Sequence, residues 1–264
     1  PYYDHPLSGM SIIARLLDKK GYKVGIIAQP LSDEDYKACG RPRYFFCITS
    51  GLLDSMLANY TPMLKKRENI LVPERALMVY TQKIKQLFRG SITVLGGVEA
   101  TIRRFTHFDY KDNKLRRGVL NDTKADLLLF GNAERSILTL LERIKDIKTG
   151  SFEDIKQKLN LNSIEGASFR IKKSEINTKI RKLPSYEECI EDKQKFNLLT
   201  RTFYLLPDDD FIEGCGSGFI QHNRPCHTLT EKEMDYVYSV PFTRKLHPNS
   251  KNFDFNQGMV KNLE

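Results

Sequence analysis

Four times within its first 150 residues the chain sets a short apolar run beside a stretch with helical spacing, and that alternation restricts the fold more than any other feature. MSIIARLLDKK, residues 10–20, puts Ile12, Ile13, Leu16 and Leu17 on one helical side and stops at Gly21. Strands are predicted for KVGIIA (Lys23 to Ala28, closed by Pro30), YFFCIT (Tyr44 to Thr49, closed by Ser50 and Gly51), Ile92 to Leu95 and Asp126 to Phe130. Helices are predicted over Pro73 to Phe88 and Ala133 to Ile147. The first two runs lack in-and-out alternation, as strands covered on both faces do. Parallel neighbours need crossovers of one hand, so the economical architecture is α/β: a doubly wound, mostly parallel, Rossmann-like sheet.

After about residue 150 the texture changes. A strand is predicted over Ala167 to Ile171, one long helix over Leu183 to Leu206 with a Ser185/Glu188 capping box, and a glycine-rich hairpin over Phe211 to Gln221. A short helix follows at Thr230 to Tyr238. The organisation read from this is a Rossmann-like domain over 1–150, an α+β extension packing on it over 151–240, and a linker over 241–264.

The chain has 264 residues, 40% of them hydrophobic, enough for a sizeable core. No apolar run reaches the roughly 18–20 residues needed to cross a bilayer, and PYYDHPLSGM lacks the features of a signal peptide, so no membrane partner is expected and the cytoplasm is the expected location. The five cysteines, Cys39, Cys47, Cys189, Cys215 and Cys226, have wide irregular spacing and read as structural thiols. His222, Cys226 and His227 are likewise read as structural. A net charge of +9 permits an acidic partner, but lysine and arginine are interleaved with 33 acids, so nucleic-acid binding is not established by charge. The chain opens at Pro1 without a methionine and reads as a fragment of a longer protein.

In doubly wound sheets ligands sit outside the carboxyl ends of the strands. Those ends carry Ser50, Gly51, Gly96, Gly97 and Gly131, joined by Asp54, Glu99 and Glu134; Asp54 and Glu134 also suit helix starts. Just downstream of one end lies IRRFTHFDYKDNKLRR, with Arg103, Arg104, His107, Asp109, Tyr110, Lys114, Arg116 and Arg117. Arginine forks suit phosphate or carboxylate, and aromatic faces suit flat rings. One reading makes this segment a substrate site or domain interface. Another buries Phe105 and Phe108 in the core and pairs Arg103 and Arg104 with Glu99 and Asp109. General nucleic-acid binding is a third, weakened by the acids mixed among the basic residues.

Seven strings in register, YYDHPLSGMSIIARLLDKKGYKVGIIAQP, TSGLLDSMLANYTP, PERALMVY, VLGGVEATIRRFTHFDY, KADLLLFGNAERSI, LPSYEE and EKEMDYVYSVPFTRKLHP, resemble the amino-terminal region of the YgiQ-type radical S-adenosylmethionine proteins. The resemblance implies a parent enzyme in which a further domain, with cysteines spaced C-x-x-x-C-x-x-C, holds a 4Fe-4S cluster and cleaves S-adenosylmethionine reductively. No such triplet exists here. It also implies a first strand ahead of Pro1 and a longer loop near Lys65 to Pro73. The front domain is similar to the cobalamin-binding fold. Its D-x-H-x-x-G, S-x-L and G-G fingerprint is matched in part by Asp4, His5, Gly9, Ser50, Leu52, Gly96 and Gly97, with the histidine out of register. The reading is therefore a non-catalytic accessory region that covers, or presents an unknown substrate to, the radical domain of its own parent. The alternatives are a module holding cobalamin or a nucleotide, and an RNA-recognition domain.

Overall fold

The computed structural model describes residues 2–68, 70–147 and 152–248. Nine strands occur among them: β1 (Phe45–Ile48), β2 (Ile92–Leu95), β3 (His107–Asp109), β4 (Lys114–Arg116), β5 (Leu127–Leu129), β6 (Ala167–Ile171), β7 (Arg181–Lys182), β8 (Phe211–Cys215) and β9 (Gly218–His222). The helices are α1 (Gly9–Lys19), α2 (Asp33–Lys37), α3 (Ser55–Asn59), α4 (Ala76–Leu87), α5 (Gly97–Ile102), α6 (Val119–Thr123), α7 (Glu134–Ile144), α8 (Phe152–Leu159), α9 (Tyr186–Glu191), α10 (Lys193–Leu205) and α11 (Glu231–Tyr238). None is long and apolar enough to cross a membrane.

Seven strands form one sheet in the order β1-β2-β5-β6-β9-β8-β7, and β3 and β4 make a separate antiparallel hairpin. β1, β2 and β5 are mutually parallel. β6 then joins β5 antiparallel, so the sheet runs on without a break across residue 150. β6-β9 and β9-β8 are also antiparallel, and β7 lies parallel to β8 at the edge.

Alternate strand residues face opposite layers, as the two-residue period of a strand requires. Val94, Leu127 and Leu129 pack with Leu17 of α1, Ile137, Leu140 and Leu141 of α7, and Ile155 and Leu159 of α8. Leu95 and Leu128 point the other way, onto Leu77, Tyr80 and Ile84 of α4 and Leu120 of α6. Helices thus cover both faces, and the α/β class expected from the alternation is the one found. A third cluster ties Phe105 to Leu183, Cys189, Leu199 and Phe211.

Two expectations need correction. Lys23 to Ala28 forms no strand: no backbone hydrogen bond joins it to another described residue, and Val24 is exposed. An apolar run becomes a strand only where a neighbouring ladder accepts it, and among the described residues β1 pairs with β2 alone. The long helix over Leu183 to Leu206 is two helices, α9 and α10, divided at Asp192, whose side chain caps the second through the Gln194 N–H at 2.8 Å. The Ser185/Glu188 capping box is present at the start of α9. Residues 241–248 of the expected linker run back beside residues 2–4. Leu246 bridges Tyr3, the Arg244 N–H donates to the Asp4 carbonyl at 2.9 Å, and the His247 N–H donates to the Tyr2 carbonyl at 3.0 Å. Residues 249–264 of that linker, and one residue of the Lys65 to Pro73 loop, lie outside the described residues.

Candidate functional site

Because β1, β2 and β5 are parallel, their carboxyl ends open on one rim, formed by residues 49–54, the start of α5 and residues 130–133. The tips of β1 and β2 touch. Gly97 has φ +83°, and a Cβ there would lie 2.4 Å from the Thr49 Oγ1, so both the backbone and the contact call for glycine. Gly96 precedes α5 and donates its N–H to the Ile48 carbonyl at 2.9 Å. The Gly131 N–H donates to the Thr101 Oγ1 at 3.2 Å, which ties the third tip to α5.

Buried carboxylates organise this rim. Asp54 caps α3 by accepting the Met56 and Leu57 N–H groups, and takes the Arg103 guanidinium in a fork at 2.6 and 3.0 Å. Glu99, 1% exposed, accepts the Ser55 N–H at 2.8 Å and the Leu77 N–H at 3.4 Å, holding α3 and α4 to α5. Asp109, also 1% exposed, receives Arg75 and Arg116. Burial alone would raise the Asp109 carboxyl, but Arg75, the Asp112 N–H and Arg116 hold it well below the carboxylate range. Arg116 and Arg75 both reach Asp112 as well, Arg117 meets Asp122 at 2.9 Å, and Lys111 meets Glu74.

His107 stands between Arg103 and the Phe105 carbonyl, 3.2 Å from Nη1 and 3.0 Å from the oxygen. A guanidinium only donates, so Nε2 accepts and Nδ1 carries the proton to Phe105. Burial pushes this imidazole below its usual value, the Phe105 carbonyl opposes that, and Arg103 adds to it.

The structure brings Arg103, Arg104, His107 and Asp109 beside the strand tips, together with Ser50, Asp54, Gly97 and Glu99. The pairing differs from the one expected: Arg103 meets Asp54 rather than Glu99 or Asp109, and Arg104 meets no acid among the described residues. Phe105 is buried, but Phe108 is exposed, because alternation along β3 turns Asp109 inward and Phe108 out. Tyr110 has its hydroxyl buried without a partner, as has the Oε2 of Glu134 on the first turn of α7. Lys114 extends outward, 4.0 Å from Asp112.

The partial cobalamin fingerprint is engaged locally. The Ser50 hydroxyl donates to the Leu53 carbonyl at 2.8 Å, and Gly51 donates its N–H to the Thr49 Oγ1 at 3.2 Å. His5 accepts the Leu7 N–H at Nδ1, 3.1 Å away, and stacks on Tyr3. Asp4 binds Arg15 and the N–H and hydroxyl of Thr243, while Gly9 only begins α1. Arranged so, these residues hold turns together. The cysteines stand on separate segments, and no group of three or more metal-ligating side chains occurs among the described residues.

Sequence reasoning missed three parts of this architecture. Arg75, with φ +53° before α4, lies inside the predicted helix and gave no signal. Thr101 links α5 to Gly131, and a lone threonine is silent in sequence. The third is a buried array under Phe105: Ser168 Oγ lies 2.9 Å from His222 Nδ1, and Glu213 Oε1 accepts the Thr106 N–H at 3.0 Å. His222 Nε2 and Glu213 Oε2 stand 3.8 Å apart, each without a hydrogen-bond partner. Here the signal existed: a glutamate within FIEGC and a histidine ending GFIQH are polar residues in strongly apolar strands.

Residues 1–261 match the family described as Radical SAM N-terminal. A UPF0313 protein of Methanocaldococcus jannaschii is 40% identical over 263 residues, which cover 94% of this chain and 42% of that protein. One from Clostridium botulinum is 35% identical over 94% of this chain and 40% of its own length. A third, from Thermotoga neapolitana, is 37% identical over 100% of this chain and 47% of its own length. The chain thus spans less than half the length of these relatives. No solved structure matches it.

Proposed function

The chain belongs to the Radical SAM N-terminal family, and from that footing we propose that it is the accessory region of a radical S-adenosylmethionine enzyme, whose rim packs on the remainder of the protein and covers, or presents substrate to, the catalytic part. One observation carries this reading. Leu52, Leu53, Leu57, Val98, Ile102 and Phe108 are exposed on the rim, from 40% at Val98 to 55% at Leu52. They stand on loop 51–54, α3, α5 and β3, which the Asp54–Arg103, Glu99–Ser55 and Arg103–His107 contacts hold together. A grouped apolar surface of this kind marks an interaction site.

The charge arrangement supports a protein partner over a nucleic acid. Arg103, Arg75, Arg116 and Arg117 are already met by carboxylates, so these four arginines of the rim are less free to meet phosphates. In this reading the chemistry belongs to the rest of the polypeptide, since the sequence here lacks the C-x-x-x-C-x-x-C spacing.

Hydrogen exchange tests the proposal. Residues 50–58 and 97–108 are expected to exchange about tenfold or more slowly in the full-length protein than in this chain alone, as amides covered by an interface do. Equal exchange in the two would overturn it.

A further inference from the structure

Arg104 stands apart from the other arginines of the rim. Arg103, Arg75, Arg116 and Arg117 each meet a carboxylate, whereas none lies within ion-pair distance of Arg104 among the described residues. Its guanidinium packs on Phe105 and Phe130, 4.6 Å from each ring centroid, with Phe203 at 5.9 Å. Nη1 donates to the Thr101 carbonyl, and Nε is shut from solvent with no hydrogen-bond partner among the described residues. Aromatic faces offset part of the cost of desolvating a cation, but they accept no N–H in the guanidinium plane. Burial accordingly pushes this guanidinium down to about 10.

The position matters as much as the missing partner. Phe130 directly follows β5, and Thr101 joins α5 to Gly131, so Arg104 lies at the carboxyl tip of the innermost parallel strand, next to the exposed Ile102. We propose that Arg104 is a receptor for a carboxylate brought to the rim, supplied by an acidic side chain of the remainder of the protein. The inference rests on the reading of the rim as an interface. With Nε shut from solvent and Nη1 on the Thr101 carbonyl, an incoming carboxylate oxygen meets the guanidinium at its Nη end, as a charge-assisted bond. A free carboxylate ligand is the other source of the same chemistry.

The test is hydrogen exchange of residues 97–108 in the full-length protein, for wild type, Arg104→Gln, Arg104→Lys, Phe203→Leu and Ile102→Asp, in sodium acetate and in sodium chloride of equal ionic strength. Arg104→Gln is expected to exchange roughly tenfold faster than wild type and Phe203→Leu much less so, because the loss is of a charge-assisted bond. Wild type indifferent to acetate assigns the carboxylate to the protein itself. Slowing by acetate in wild type, absent in Arg104→Gln, assigns it to a free ligand. If Arg104→Gln does not fold, Arg104→Lys, which keeps the charge and loses the planar Nη donors, takes its place. Arg104 variants that match wild type in both salts, or a Phe203→Leu effect as large as theirs, overturn the receptor. Should Ile102→Asp still accelerate exchange in that case, the interface survives and only the receptor falls; should it not, both fall.

Discussion

At Gly97 two demands meet in one residue: a left-handed backbone and a contact with Thr49 that has no room for a methyl group. Gly97→Ala is therefore expected to destabilise the chain by about 2 kcal/mol or more, measured by urea unfolding. In a Thr49→Ala background the contact is relieved and the backbone strain stays, so the same substitution should cost less there. This residue was legible in the sequence only as half of a glycine pair ending a strand. Its reason was not, because it depends on a side chain in a different strand. Arg103 and Arg104 show the same limit. They were singled out together as neighbouring cations, yet one is held by Asp54 and the other by three aromatic rings, and sequence distance carries no information on either.

Among the elements, those that were legible satisfy their own pattern. Ile12, Leu16 and Leu17 mark α1, Ile137, Leu140 and Leu141 mark α7, and ITVL and LLL are strands buried along their whole length. Lys23 to Ala28 has the same local pattern and fails, since a ladder is a property of two segments. The α9–α10 break failed for a subtler reason: Asp192 suits a helix interior poorly and a helix start well, but the apolar spacing runs through it. Asp192→Ala is expected to lower stability by about 1 kcal/mol through the lost cap, and Asp192→Gly by less despite its greater flexibility, as thermal unfolding would record. No loss in either variant would show that the cap contributes nothing.

Over the whole molecule the two ends of the described chain are clasped by Asp4. Burial alone would raise its carboxyl, but Arg15 and Thr243 hold it down at about 2. An aspartate in an unfolded chain titrates near ~3.9, so the unfolded state binds the extra proton first as pH falls. The clasp is complete above that value and is lost between about pH 4 and pH 2. It is worth about 2 kcal/mol, and Asp4→Asn should flatten that part of the stability curve when unfolding is followed against pH. Unchanged acid sensitivity in the variant would assign the loss to other carboxylates.

Tyr2 waits for His247. On a ribosome adding roughly 5–20 residues each second, the first segment of this clasp emerges on the order of tens of seconds before its mate, so the sheet has to assemble without it. The clasp thus forms only after synthesis has passed α11, and a chain stalled before that point would hold its layers but leave residues 2–4 loose.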